Sequence, residues 1–216
     1  MAYGLLWKGS MGSLPIVIFF LVGGRDLPPT SDNPGTTPAG TSNDAVAPIT
    51  GSGRLEWALK ATIGPGSLFV GAVQAGWGNL ENHPREYGQG MEGFGKRFGL
   101  RLSSVGTSNV MEAGLGAIWG EDPRYHVGHD HTTRGHFNHA FKMTFMADRA
   151  DGSVEPAYAR YIAYAGSNVI SNAWRPDSQR TVGNTTARIG ERFAGRLLGN
   201  LFKEYWPEVK QHMFRK

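Results

Sequence analysis

The sequence predicts an all-α protein, a compact bundle of helices that follows an N-terminal apolar stretch and a linker. Three observations indicate this class. Apolar residues recur at helical spacing from about Arg54 onward, small residues recur three or four apart in three segments, and the last segment keeps one bulky apolar row over many turns. Small residues at that spacing let two helix backbones approach closely, so tight helix crossings are expected.

Residues 1–24 predict an export signal or an N-terminal anchor. One lysine, Lys8, precedes an apolar run from Leu14 to Gly24. The run is shorter than the ~20 residues of an ordinary membrane-spanning helix and suits the apolar region of a signal. No small-x-small triplet follows it directly, so an uncleaved anchor is the alternative. The protein is therefore expected in the periplasm or at the envelope membrane.

Residues 25–53 predict a flexible linker, because Pro, Gly, Ser, Thr, Asn and Asp dominate them and few side chains can pack. The helical domain is expected to span residues 54–216. The whole chain contains no cysteine, which excludes disulfides and thiolate metal ligands.

Three segments of the domain carry rows of small residues and are predicted to be helices: Pro65–Leu80, Tyr158–Trp174 and Thr181–Trp206. These rows are expected to form the internal crossings of the bundle or, in part, a surface for self-association. The rows are Ser67-Gly71-Ala75, Ala159-Ala163-Gly166 and Gly183-Ala187-Gly190-Ala194.

A second interpretation is a small outer-membrane β-barrel. Arg97–Leu102 and His139–Phe145 alternate polar and apolar residues, and abundant glycine and export are typical of such barrels. However, Phe137, Phe141 and Phe145 also form a helical row, and too few strands can be counted to close a barrel. The sequence therefore favours helices.

A polar junction spans residues 119–139, between two segments rich in small and apolar residues. Asp122 and Pro123 are typical of a turn or a helix start. Arg124 is expected to pair with Glu112 or Glu121 and so fix the geometry of the junction. The residues predicted to hold this region together are Asp122, Pro123, Arg124, Tyr125, His139 and, just before Pro207 interrupts the last helix, Trp206.

The junction also contains the strongest candidate metal ligands: His126, His129, Asp130 and His131. Neutral imidazoles and a carboxylate suit Zn²⁺ or a similar divalent ion. Their spacing matches no established metal motif, so the main expectation is a polar loop without any cofactor. A metal-binding protein, or a metal-dependent enzyme centred on residues 126–139, is the alternative.

Catalytic residues are not predicted. The chain lacks the GxSxG and SxxK motifs, and the GxGxxG match from Gly88 to Gly93 follows no apolar strand. The glycines around it instead indicate close backbone packing. The sequence favours a non-enzymatic protein with a structural or binding role and leaves an enzyme as the alternative.

The charge pattern bears on possible partners. The net charge of +4 is modest, but Arg188, Arg192 and Arg196 stand four apart in the last predicted helix. They predict a basic face, for which an ordinary solvated surface is the favoured interpretation and contact with an anionic membrane is the alternative. Membrane or envelope contact and self-association are the expected interactions, and nucleic acid is not an expected partner.

Several short motifs in residues 55–209 together give the chain a resemblance to a protein family. They are Trp77-Gly78, Tyr87-Gly88, Gly93-Phe94-Gly95-Lys96-Arg97, Asp122-Pro123-Arg124-Tyr125, Arg134 with His139, Trp174-Arg175-Pro176-Asp177 and Glu204-Tyr205-Trp206-Pro207-Glu208. With this ordered set the chain resembles a family of exported bacterial proteins, found notably in soil bacteria of the acidobacterial type, to which no activity is assigned. The resemblance implies a helical, exported protein in which residues 122–125 and 205–207 are framework.

Overall fold

The computed structural model describes residues 48–128 and 132–214, and side chains as far as Lys210. Within these ranges the chain is mainly helical, which confirms the predicted fold class. The predicted export signal and most of the predicted linker lie outside the described residues, and the first helix begins inside the segment assigned to the linker. The elements in chain order are α1 (Gly51–Ile63), α2 (Pro65–Leu80), α3 (Gly90–Trp119), α4 (Thr133–Phe145), β1 (Met146–Asp148), β2 (Val154–Pro156), α5 (Tyr158–Ser171) and α6 (Val182–Phe214).

The long helix α3 forms the centre of the bundle. It packs against α1, α2 and α5, while α6 packs against α4 and α5. The two short strands β1 and β2 pair antiparallel, with Met146 opposite Pro156. This hairpin lies between α4 and α5 in the chain, and its turn contains Gly152 at a φ of 82°. The architecture is thus a helical bundle with one small hairpin.

Local sequence signals account for several helix ends. The hydroxyl oxygen of Thr50 accepts a hydrogen bond from the backbone N–H of Gly53 at 3.1 Å, and Thr132 accepts one from Gly135 at 3.0 Å. These side chains satisfy N–H groups that have no partner within the first turn of a helix. At the other end of α3, Gly120 adopts a left-handed conformation with φ 74°, which glycine adopts at little cost.

The alternating stretches Arg97–Leu102 and His139–Phe145 lie within α3 and α4, as the favoured helical interpretation expects, because alternation over six or seven residues also fits a helix with one polar face. One local prediction differs from the structure. Pro207 does not end the last helix, since α6 continues to Phe214. The carbonyl of Lys203 loses its helical partner there, but Lys203 and Pro207 are both exposed. No described helix has both the length and the apolar character needed to cross a membrane.

Two of the three predicted small-residue rows form helix crossings. Gly71 and Ala75 are buried in α2, where a Cβ added to Gly71 would lie 3.0 Å from the ring of Phe98 in α3. Ala159 and Ala163 in α5 are at most 1% exposed. The row in α6 is different, because all four of its residues are exposed. Helix α6 contacts the bundle through larger side chains instead.

The core reverses the usual distribution of side chains. Its buried apolar members within the described ranges are eight alanines, Met143 and Tyr164, and no leucine, isoleucine, valine or phenylalanine there is buried. These are the residues that usually fill a protein core. Polar and charged groups occupy the interior instead; Glu112, Arg160 and Glu204 are each at most 3% exposed. The fold is therefore specified by hydrogen bonds and close backbone packing.

Close backbone packing is most evident where the loop before α3 crosses the first turns of that helix. A Cβ added to Gly93 would lie 2.4 Å from the carbonyl oxygen of Gly88. The guanidinium of Arg97 donates hydrogen bonds to the carbonyl oxygens of His83, Pro84 and Gly88 at 2.8–3.0 Å. The GxGxxG-like stretch is thus a packing device, as its glycine content indicated.

We expect Gly93→Ala to lower the free energy of unfolding by about 1–3 kcal/mol, because backbone atoms must move to admit the methyl group. The control is Gly95→Ala in the same helix, where an added Cβ meets nothing within 4 Å. It should raise stability by about 0.5–1 kcal/mol. Urea unfolding followed by circular dichroism measures both values. Equal effects of the two substitutions would contradict the close approach.

Candidate functional site

A buried ion pair lies at the meeting point of α3, α4 and α5. The Nε of Arg160 lies 2.9 Å from Oε1 of Glu112, and the two side chains are 2% and 3% exposed. Nη1 of Arg160 also donates to the carbonyl oxygens of Met143, Thr144 and Met146, each at 3.0 Å. These carbonyls belong to the end of α4 and the start of β1, where helical partners are missing. One guanidinium therefore joins three elements.

A polar row on α6 faces this pair and the neighbouring helices. Its members stand four apart, so they share one side of the helix. Nη2 of Arg188 donates to Asn172 at 2.6 Å, the Arg192 guanidinium lies 5.8 Å from the Tyr164 ring centre, and Nη2 of Arg196 donates to the carbonyl of Pro123 at 2.7 Å. The row is Arg188, Arg192, Arg196, Asn200 and Glu204.

This row corrects the predicted basic surface. The three arginines point into the bundle and bind carbonyl, amide and aromatic groups there. Burial lowers the pKa of Arg188 to about 10 and also lowers that of Arg196. Spacing alone could not separate an inward from an outward face. The row continues through Asn200 and Glu204, so that polar residues form one stripe over more than four turns of α6. This continuation is the sequence signal that could have indicated an inward face.

The junction turn is held by its own side chains and by α6. Asp122 is 7% exposed; its carboxylate accepts a hydrogen bond from the backbone N–H of Arg124 at 2.9 Å and pairs with the Arg124 guanidinium at 2.7 Å. The sequence suggested Glu112 or Glu121 as the partner of Arg124. Glu121 instead accepts from the N–H of Ala159 at 3.1 Å, at the start of α5. The predicted turn therefore forms, with a local ion pair.

Glu204 is the centre of the candidate site. Its Oε1 accepts hydrogen bonds from the Tyr125 hydroxyl, from Nδ1 of His139 at 2.8 Å and from the N–H of Gly128 at 3.0 Å. Glu204 is 1% exposed, and its Oε2 has no hydrogen-bond partner among the described residues. The sequence identified Tyr125 and His139 as junction residues and Glu204 only as part of a motif, without its role in joining the other two.

The hydrogen bonds to Glu204 favour the ionised form of its carboxylate. Burial alone would raise the pKa of Glu204, but the donors Tyr125, Gly128 and His139 together hold it below its ordinary value. Burial and the nearby carboxylate raise the pKa of Tyr125. A carboxylate only accepts, so Nδ1 of His139 carries the proton that it donates. The arrangement binds the junction firmly to α4 and α6.

The predicted metal ligands are only partly described. His126 hydrogen-bonds through Nδ1 to Oδ2 of Asp148 at 2.9 Å. His129, Asp130 and His131 lie outside the described residues. Among the described side chains of residues 48–128 and 132–210, no group of three or more His, Asp or Glu residues is arranged to hold a metal ion. The metal site stays a prediction.

Tyr205 attaches the end of α6 to the bundle, where the sequence predicts that Trp206 does so. Its hydroxyl donates to the carbonyl of Thr133 at 2.9 Å, and its ring meets the edge of His136 at 5.2 Å between ring centres. Trp206 instead stacks on Phe202 of its own helix, with 5.1 Å between the ring centres. Tyr205 therefore joins α6 to the start of α4, while Trp206 stiffens the α6 surface.

Motif residues that are far apart in the sequence meet around an open cleft of about 530 Å³. The hydroxyl of Tyr87 in this cleft has no hydrogen-bond partner among the described residues. The motif residues lining the cleft are Tyr87, Lys96, Trp174, Arg175 and Pro176. Several of the motifs thus lie at one of two places in the fold, this cleft or the junction.

Comparison of the chain with protein-family models, with curated proteins and with solved structures gives no match. The resemblance to exported bacterial proteins therefore stays a prediction.

Removing the buried guanidinium of Arg160 should lower the free energy of unfolding far more than removing an exposed guanidinium. We expect Arg160→Met to lower the free energy of unfolding by about 3–5 kcal/mol, because Glu112 is left charged and buried without its partner. Arg180, which is 46% exposed and pairs with the exposed Asp177, is the control. Arg180→Met should change stability by less than about 1 kcal/mol. Similar losses in urea unfolding would contradict a dominant buried pair.

Glu204→Gln should change the pH dependence of stability. Because folding lowers the pKa of Glu204, its contribution is present above the ordinary pKa of 4.5 and is lost as the pH falls through the folded-state pKa. We expect the wild type to exceed the variant by about 1.5–3 kcal/mol at neutral pH, with the difference shrinking below pH 4.5. The exposed Glu92 is the control, since Glu92→Gln should have a small effect that salt removes. A difference between wild type and Glu204→Gln that is independent of pH would contradict this role.

Proposed function

We propose that this chain is a non-catalytic helical protein of the cell envelope, which lies against a lipid surface and acts there by packing or binding. The observation that carries the proposal is the reversed core: most fully buried side chains are small or polar, while many large apolar side chains are exposed. In water this distribution forgoes part of the hydrophobic stabilisation that folding usually supplies.

Exposed apolar side chains form rows on more than one helix. On α1 they are Leu55, Leu59 and Ile63, each at least 52% exposed. On α4 they are Phe137 and Phe141, each 49% exposed, followed by Phe145. Side chains four apart lie on one side of a helix, so each set is a continuous stripe. Contiguous apolar surface of this kind marks a site of interaction with lipid or with another protein.

The interior supports lipid as the surrounding medium. Where helices pack in contact with lipid, burying leucine gives little advantage, so small residues fill the crossings and polar groups turn inward to each other. The Ala159–Ala163 row and the Arg160–Glu112 pair match both features. The predicted export segment, residues 1–24, and the linker after it would supply a second attachment, and two weak attachments hold a protein to a membrane far better than one.

Vesicle flotation of the full chain tests this function. We expect the native chain to float with phosphatidylcholine vesicles in high salt, because apolar contacts are not screened, and to keep its helical circular dichroism. The matched variant carries Leu59→Gln and Phe141→Gln, two exposed changes that leave the core intact, and should bind vesicles about tenfold or more weakly. A native chain that stays unbound, or a variant that floats equally well, would overturn the proposal.

A further inference from the structure

Helix α4 carries a surface in which aromatic and basic side chains alternate. The exposed positions of α4 fall within one side of the helix, while His136, Ala140, Met143 and Thr144 form the buried side. The exposed side chains after the first residue of α4 are Arg134, Phe137, Asn138, Phe141, Lys142 and Phe145, referred to below as the α4 outer face.

The charge of the α4 outer face has one sign. Helix α4 contains no aspartate or glutamate. Arg134 and Lys142 are exposed and form no ion pair with any described residue. The acids recorded against α4 from another helix are Glu204, which lies 2.8 Å from His139, and Glu208, which lies 3.7 Å from the buried His136. The two cations are therefore available to an external anion.

The aromatic side chains of this face form a fixed platform. The rings of Phe137 and Phe141 are stacked with centres 6.3 Å apart, and Phe141 lies 5.3 Å from Phe145. Phe145 in turn stacks on Phe193 of α6 at 5.5 Å. The outer rings are thereby ordered by contacts that continue into the bundle, so little entropy is lost when they enter another phase.

We propose that the α4 outer face is the part of the molecule that enters a bilayer containing anionic lipid, with the phenylalanine rings at the acyl boundary and Arg134 and Lys142 on the headgroup phosphates. This assignment rests on the proposed function and specifies its surface and lipid class. An in-plane helix with one apolar stripe and flanking cations binds membranes in this way. The stripe on α1 differs, since Glu56 and Lys60 beside it pair with each other at 2.7 Å.

A single label on the full chain tests the assignment, because the sequence contains no cysteine to compete. Asn138→Cys places a polarity-sensitive fluorophore between Phe137 and Phe141. The control is Ala187→Cys, which is exposed on α6. With vesicles of phosphatidylcholine and phosphatidylglycerol, the label at residue 138 should shift to the blue and be quenched by nitroxide lipids. The label at residue 187 should do neither.

Charge removal provides the second measurement. In the Asn138→Cys chain, Arg134→Gln together with Lys142→Gln should weaken binding to the anionic vesicles about 25-fold, since each basic residue near the surface contributes about 1 kcal/mol. Binding to vesicles of phosphatidylcholine alone should hardly change. Unaltered circular dichroism would show that the exposed substitutions leave the fold intact.

Each of the other possible outcomes overturns the α4 assignment, the proposed function or both. If the chain floats with vesicles but the label at residue 138 stays in water, the α4 assignment fails and the proposed function stands. If the chain binds no vesicles, both fail. If the label shifts without vesicles as protein concentration rises, and sedimentation shows a dimer, the occupant of this face is a second copy of the chain and the lipid assignment is wrong.

Discussion

The buried pair of Arg160 and Glu112 is the interaction on which the rest of this bundle depends. It joins α5 to α3, and the same guanidinium satisfies the last carbonyl groups of α4 and the first of β1. Cations are favourable at the C-terminal end of a helix, where the helix dipole is negative. Because both charges are out of water, neither can lose its partner without a large cost. The positions of three helices are therefore coupled through one side chain.

The polar core limits which side chains can lie between the other helices. Helix α6 reaches the same region with a polar stripe that ends at Glu204, whose carboxylate holds Tyr125, Gly128 and His139. Around such groups only small residues fit between the backbones, as Ala159 and Ala163 show. Many bulky apolar side chains are then left on the outside. The exposed rows on α1 and α4 are a consequence of the polar interior, and the lipid surface that we propose would supply the apolar medium that the core does not.

The sequence predicted the helical class and the positions of α2, α5 and α6, but it predicted neither the extent of α3 nor the orientation of α6. Pro65–Leu80 was predicted to the residue, because a proline start and one row of small residues define it. The spacing of Arg188, Arg192 and Arg196 identified one face of α6. It did not show that this face points into the bundle, because a hydrophobic interior was assumed. Glu204 escaped prediction for a related reason: its partners are 65 or more residues away in the chain, and no local pattern reports such contacts. The turn at Asp122 could be predicted from the sequence because the hydrogen-bond partners of Asp122 are neighbouring residues.

Labelling from within the bilayer tests the reversed arrangement most directly. A lipid-soluble, carbene-generating reagent in vesicles that carry the full chain would be located by peptide mass spectrometry. We expect adducts on Phe137 and Phe141 and none on the inner side of α4 at Ala140 and Met143. Adducts on both sides of α4, or none on its outer side, would contradict a fold that keeps its polar groups inside and its large apolar groups in lipid.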